Sequence, residues 1–169
     1  EDNDRRFAAL KGAGALESYE AKKKLEDIKK PSDKAAFFAL AQKNEGAGEK
    51  AVARELYDEY VRKWPSDPRA ADAHYRLGEI HFSEKRFRES ILSFGKVAQD
   101  FPRSDKVPDA LFRTAEAMAL IDLKDDAKAI FEDLMKRFPK STAAGKAKSR
   151  LADLSPKAEP KKKAAPKKQ

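Results

Sequence analysis

Cysteine is absent from the 169-residue chain, and glycine is scarce, with seven residues against nine prolines. The absence of cysteine excludes disulfides, zinc–thiolate sites and cysteine nucleophiles. So few glycines argue against a β-rich fold that is dense in turns. No stretch of 18 consecutive apolar residues occurs either, so the sequence predicts no segment that spans a membrane.

Residues that favour helices make up much of what is present, since Ala, Lys, Glu, Leu and Arg are abundant and all have high helix propensity. Apolar residues at 40% and charged residues at 39% suit thin interfaces between stacked helices better than one large core. Residues 155–169 carry six lysines and one glutamate, so most of the formal net charge of +8 lies there. The rest of the chain is nearly balanced in charge.

An internal repeat of 37 residues organises the chain. An aromatic residue followed by proline recurs as Trp64-Pro65, Phe101-Pro102 and Phe138-Pro139. Further positions follow the same step: Phe38, Tyr75 and Phe112; Tyr57, Phe94 and Phe131; Ala36, Ala73, Ala110 and Ala147; Arg76, Arg113 and Arg150. A weaker echo with a spacing of 34 lies upstream, where the residues of 12–14 recur at 46–48. A period of this length predicts an array of repeated structural units.

Within each unit the apolar residues recur at i, i+3, i+4 and i+7, which is the spacing of one helix face. The proline after each aromatic residue stops the helix, because proline cannot continue the hydrogen-bond ladder. Each unit is therefore predicted as helix, short turn, helix, turn. The predicted helices span 15–29, 33–44, 49–63, 69–83, 87–100, 107–121, 124–137 and 142–153.

These units resemble the tetratricopeptide repeat. In that family a Leu-Gly pair such as Leu77-Gly78 lets two helices approach closely, and a small residue such as Ser90 lies where they cross. The resemblance implies an all-α tetratricopeptide-type superhelix, an α-solenoid of about three helix pairs closed by a C-terminal capping helix. The predicted domains are a helical segment at 1–31 that is a degenerate partial repeat, the repeat domain at 32–154, and a disordered Lys/Pro/Ala-rich tail at 155–169.

Four short strings narrow the resemblance: Tyr-Arg-Leu-Gly-Glu, Phe-Pro-Arg-Ser, Pro-Asp-Ala-Leu-Phe and Arg-Phe-Pro-Lys-Ser. Over about residues 35–154 the chain is similar to the C-terminal domain of the YbgF/CpoB family, the Tol–Pal-associated periplasmic cell division coordinators. This resemblance implies a periplasmic, non-catalytic scaffold that binds a Tol-complex component and peptidoglycan-synthesis machinery. The alternative is a structural subunit of another envelope machine, for motility, secretion or outer-membrane barrel assembly. The chain begins at Glu1 rather than Met, and we expect a processed or trimmed N-terminus.

Tetratricopeptide arrays bind peptides in the groove lined by the first helix of each pair. The family positions that face this groove correspond to Phe38, Gln42, Asp72, Tyr75, Glu79, Phe82, Asp109, Phe112 and Glu116. The aromatic residues among them would supply apolar contact and the charges would fix the partner's register. The alternative, with equal support from the sequence, is that these aromatic residues only fill the interface between repeats. Arg76 and Arg113 are expected at the rim, where they would bind acidic residues of a partner.

The sequence contains no pattern typical of catalysis or of cofactor or metal binding, and no site of these kinds is predicted. The two histidines, His74 and His81, are seven residues apart, whereas a helical metal pair needs a spacing of four. They are predicted as ordinary core or boundary residues. The lysine-rich tail either makes weak contact with polyanions or only keeps the chain soluble. Specific nucleic-acid binding is not predicted, because no aromatic residue interleaves the tail lysines for base stacking.

Overall fold

The computed structural model describes residues 12–154 of the chain, and eight α-helices make up most of this part. They are α1 (Gly12–Asp27), α2 (Lys34–Gly46), α3 (Lys50–Lys63), α4 (Arg69–Ser83), α5 (Phe87–Asp100), α6 (Val107–Leu120), α7 (Lys124–Arg137) and α8 (Thr142–Leu154). The predicted all-α fold is confirmed for these residues, and each predicted helix end lies within three residues of the observed one. The predicted disordered tail, 155–169, lies outside the described residues.

The helices form consecutive pairs, in which α2 packs on α3, α4 on α5 and α6 on α7. The second helix of each pair also packs on the helix that follows it in the chain, and these contacts join the pairs and α8 into one array. At the C-terminal end α8 packs on α7 and α6, and at the N-terminal end α1 packs on α3. None of the helices between residues 12 and 154 has both the length and the apolar content that crossing a membrane requires.

The turn inside each helix pair contains a residue with left-handed backbone conformation, at Gly48, Lys85 and Asp122, with φ of 82°, 60° and 65°. These residues are 37 apart, so the repeat extends to the backbone geometry. Glycine adopts this conformation freely, and aspartate tolerates it better than most residues, whereas lysine carries the usual steric cost. The second turn therefore contains a strained residue at Lys85.

The turn between pairs places an oxygen-bearing side chain before each first helix. These residues are Asp33, Asp67, Ser104 and Ser141. The Asp33 carboxylate accepts a hydrogen bond from the Ala36 amide at 2.8 Å, and the Ser141 hydroxyl accepts one from the Ala144 amide at 3.1 Å. Side chains of this kind satisfy the amide groups that are left without partners at a helix start, so the turn sequence fixes where each pair begins.

Aromatic side chains fill the interior of each pair. The ring centroids of Tyr75 and Phe94 lie 5.2 Å apart, and Phe38–Tyr57 and Phe112–Phe131 make the same contact at 5.7 Å and 5.6 Å. Phe94 is fully buried. A methyl group added at Gly78 would lie 2.5–2.7 Å from the Phe94 ring, so α4 and α5 approach as closely as the Leu-Gly pair predicts.

The buried Ser90 hydroxyl donates a hydrogen bond to the Gly78 carbonyl oxygen at 3.0 Å. This contact lies where α4 and α5 cross, the place predicted for Ser90. A small side chain is needed at this point, because a larger one would separate the helices and open the packing around Phe94.

Candidate partner-binding groove

The nine residues predicted to line a groove lie on α2, α4 and α6, the first helices of the three pairs. They differ widely in their accessibility to a partner. Gln42 and Asp109 are exposed, and the four predicted residues of α4 are half-buried. The α6 residue Glu116 is also largely covered, with 12% of its side chain exposed.

The aromatic residues of the predicted groove lie mostly in the interior. Phe38 is 6% exposed and Phe112 is 9% exposed, each in contact with an aromatic ring of the second helix of its own pair. Tyr75 is half-buried and contacts Phe94 in the same way. These rings hold the two helices of each pair together, and of the three only Tyr75 offers appreciable surface to a partner.

The Tyr75 hydroxyl lies in acidic surroundings. Burial raises its pKa, and the nearby carboxylates of Glu79 and Asp109 raise it further, to about 12. The phenol therefore remains protonated at neutral pH and can both donate and accept a hydrogen bond.

A ladder of ion pairs links the first helices across the groove, and Arg113 is at its centre. The Arg113 guanidinium donates two hydrogen bonds to the Glu79 carboxylate of the preceding pair, at 2.6 Å and 3.1 Å, and one to Glu116 at 2.9 Å. Its guanidinium carbon lies 3.8 Å from the centroid of the Phe82 ring. Burial disfavours the charged form of Arg113, but the hydrogen bonds to the two glutamates outweigh it and raise the pKa. Arg113 thus joins α4 and α6 by charge and by stacking.

The ladder continues one repeat further along, where Arg150 of α8 donates to the Glu116 carboxylate at 2.8 Å and 3.1 Å. Toward the N-terminus the ladder of ion pairs is weaker. Arg76 lies 3.6 Å from the carboxylates of Glu45 and Asp72, beyond hydrogen-bonding distance. The position that Glu79 and Glu116 occupy in their repeats is taken here by the neutral Gln42.

This ladder was not foreseen from the sequence. Arg76 and Arg113 were expected to reach toward a partner at the rim, but Arg113 is paired with residues of two successive repeats. A signal for this pairing does exist, because Arg113 follows Glu79 by 34 residues and Arg150 follows Glu116 by 34. A recurring acidic–basic offset close to the repeat length indicates contact between neighbouring repeats.

The chemistry of this surface is that of side-chain recognition. Among the described residues no three His, Asp or Glu side chains are grouped so that they could hold a metal ion. His81 is buried and His74 is half-buried with its ring 6.2 Å from Phe101. Burial lowers the pKa of both histidines, in agreement with their prediction as core or boundary residues.

Two family models described as tetratricopeptide repeat match the chain. One matches residues 5–68 and 38–110, and the other matches residues 109–141. Together they extend over most of the helices described above, and the first alone covers more than half of the chain. No curated protein matches the chain in sequence.

Solved structures with a similar fold come from unrelated sources. The Arabidopsis OM64 TPR domain has a TM-score of 0.59 and 15% identity, covering 71% of this chain and 94% of its own. PcrH from Pseudomonas aeruginosa has a TM-score of 0.61 and 18% identity, covering 72% and 90%. A variant of nearly identical TPR-like repeats from Podosopora anserina has a TM-score of 0.60 and 14% identity, covering 90% and 80%. The predicted superhelix of helix pairs is confirmed, and identities this low concern the fold alone.

Proposed function

The chain belongs to the tetratricopeptide repeat family, and we propose that it is a periplasmic adaptor of the bacterial envelope. In this role it binds a component of the Tol complex and the peptidoglycan-synthesis machinery, and so couples the Tol–Pal system to wall synthesis during division. Proteins of this fold are in general non-catalytic scaffolds for protein partners, which supports the broader part of the proposal.

The observation that carries the envelope role is the set of four strings quoted above, all within residues 75–141. One string lies in the middle of α4, two lie around the aromatic–proline turns at Phe101 and Phe138, and one lies at the start of α6. All four resemble the corresponding segments of the YbgF/CpoB family. The repeat subtype is also similar to that of barrel-assembly lipoproteins and of envelope motility or secretion proteins. A structural subunit of one of those machines is therefore the second candidate.

The proposed partner lies along α2, α4 and α6 and contacts those of the predicted groove residues that are accessible. The half-buried Tyr75 and Phe82 offer apolar contact, and the exposed Asp109 offers a negative charge. A partner segment with apolar anchors and basic flanks would complement such a surface. Glu79 and Glu116 contribute mainly by holding the helices in place, because both carboxylates are already engaged with arginines.

The proposal is tested by measuring binding of the purified full chain to isolated periplasmic domains. The probes are domains of the Tol-complex proteins, of peptidoglycan synthases and of a barrel-assembly protein from one envelope-bearing bacterium. Saturable binding to Tol-complex and synthase domains, with none to the barrel-assembly domain, is expected. Binding only to the barrel-assembly domain would favour the second candidate, and binding to none of the three would contradict the Tol–Pal role.

A further inference from the structure

One position of the repeat faces the arginine of the next repeat and is occupied differently each time. The residues at this position are Glu45, Phe82 and Ala119, and each is 37 residues from the next. The arginines that they face are also 37 apart. Glu45 supplies a carboxylate 3.6 Å from Arg76. Phe82 and Ala119 supply no charge, and they differ in how much space they leave beside their arginines.

In the second repeat an aromatic ring fills the space beside the arginine. Phe82 lies with its ring centroid 3.8 Å from the Arg113 guanidinium carbon, and its other neighbour is the Phe87 ring, at 5.3 Å. Arg113 is held in this position by Glu79. The chain therefore contains its own example of an aromatic side chain bound on this surface.

In the third repeat the arginine and its carboxylate remain, but the ring is missing. Arg150 pairs with Glu116 as Arg113 pairs with Glu79, whereas Ala119 stands in the place of Phe82. A pocket of about 120 Å³ opens here between the C-terminal ends of α6 and α8. The residues that line it include Ala119, Leu120, Phe131, Arg150 and Leu154.

The size and walls of this pocket fit one aromatic ring. An apolar cavity of about 150 Å³ holds a benzene molecule, and the space beside Ala119 is comparable. Leu120 is 57% exposed, so it offers apolar surface at the border of the pocket. The Arg150 side chain is 54% exposed, so its guanidinium is accessible to a ring, as that of Arg113 is to Phe82.

The charges around the pocket also specify the ligand. Asp153 lies at its border and occupies the repeat position of Glu116, which accepts hydrogen bonds from two arginines. Within residues 12–154 no cation pairs with Asp153. A ligand that completes the pattern brings both a ring for Arg150 and a cation for Asp153.

We propose that this pocket binds an aromatic side chain of a protein partner, with a basic residue of the same partner beside it. The ring takes the place that Phe82 occupies one repeat earlier and stacks on Arg150, while the basic side chain pairs with Asp153. The inference rests on the proposed function only in that it assumes a protein partner. It holds for any partner that presents such a pair, whether or not the Tol–Pal role is right.

The pocket is tested with small probes, which separates it from the question of the partner. N-acetyl-tryptophanamide and N-acetyl-leucinamide are titrated into the full chain, and the methyl signals of Leu120 and Leu154 are followed by NMR. Saturable shifts with a millimolar dissociation constant are expected for the tryptophan probe, at least about threefold tighter than for the leucine probe. Shifts that are absent, or equal for the two probes, would overturn the proposal.

Two substitutions with matched controls locate the binding. Ala119→Phe supplies the missing ring from within and should abolish binding of the tryptophan probe, whereas Ala129→Phe on the exposed surface of α7 should not change it. Arg150→Lys keeps the charge but removes the planar guanidinium, and it should weaken binding about two- to fivefold. Arg137→Lys, at an exposed arginine of α7, is its control.

Unchanged affinity in both Ala119→Phe and Arg150→Lys would place the probe elsewhere and overturn the proposal. If Ala119→Phe does not fold, Arg150→Lys alone decides. A second contrary result concerns residues 155–169, which follow the pocket directly in sequence. Nuclear Overhauser effects between Leu120 methyl groups and the prolines of that segment, without probe, would make the chain itself the occupant and exclude a partner's ring.

Discussion

Replacing Arg113 by methionine tests whether the ion-pair ladder holds neighbouring repeats together. Methionine keeps most of the apolar stem but removes the guanidinium and with it three hydrogen bonds and the stack on Phe82. Exposed ion pairs contribute about 0.2–1 kcal/mol each and an exposed cation–π contact about 0.5–1 kcal/mol. Glu79 is 35% exposed, so solvent screens its part of the interaction. The expected loss in free energy of unfolding is therefore about 2 kcal/mol.

The assay is urea unfolding followed by circular dichroism, with thermal melting alongside. A loss of about 2 kcal/mol corresponds to a fall in Tm of about 4–8 °C for a chain of this length. Arg137→Met is the matched control, since Arg137 also pairs with a carboxylate and lies near a ring, but within its own helix and turn. It should cost no more than about 0.5 kcal/mol. Equal losses for the two variants would refute the idea that Arg113 couples the repeats.

Three further variants test the interior, the turns and the buried carboxylate. Phe94→Ala should lower the free energy of unfolding in urea by about 3–5 kcal/mol, because it empties a fully buried site; Glu132→Ala, at the surface, should cost about 0–1 kcal/mol, and equal costs would mean that the repeat register is wrong. Lys85→Gly should raise Tm, with a gain of up to about 1 kcal/mol, by relieving the left-handed backbone; a lower Tm would contradict this. Although burial disfavours the charged form of Asp67, ionic and hydrogen-bond contacts, including one with Tyr60, lower its pKa to about 2. Since the folded pKa of Asp67 is below the unfolded one, its ionised carboxylate stabilises the fold above about pH 4, and this stabilisation is lost as pH falls toward 2. Between these pH values the free energy of unfolding should therefore fall less in Asp67→Asn than in the unchanged chain.

Much of the fold follows from the sequence because the repeat imposes the same local physics three times. The aromatic–proline turns end each second helix, and the aromatic residues at 37-residue spacing form the interior pairs such as Tyr75–Phe94. The close approach at Gly78 was implied by the resemblance of the Leu77-Gly78 pair to the tetratricopeptide repeat, and it has a physical reason, because only the absence of a side chain lets two helices come so near.

The details of the candidate site depend on contacts between repeats, which helix periodicity does not encode. Periodicity places Phe38 and Phe112 on the right helices, but it does not predict how deeply each ring is buried. It also does not distinguish an arginine that points to solvent from one that reaches the preceding helix, as Arg113 does. The left-handed conformation at Lys85 was missed because lysine gives no sign of it, although Gly48 at the same repeat position does.

The measurement that tests the groove most directly is the affinity for an identified protein partner after lysine replaces each of the two exposed groove residues. Gln42→Lys with Asp109→Lys changes the two exposed predicted residues and leaves the arginine ladder intact. The control pair, Gln99→Lys with Asp126→Lys, makes the same chemical changes at exposed positions of α5 and α7, with the aspartate again in the first turn of a helix. A loss of binding of tenfold or more in the first double variant only, with both variants folded, is predicted. Equal affinity in the two double variants would contradict a binding surface along the first helices.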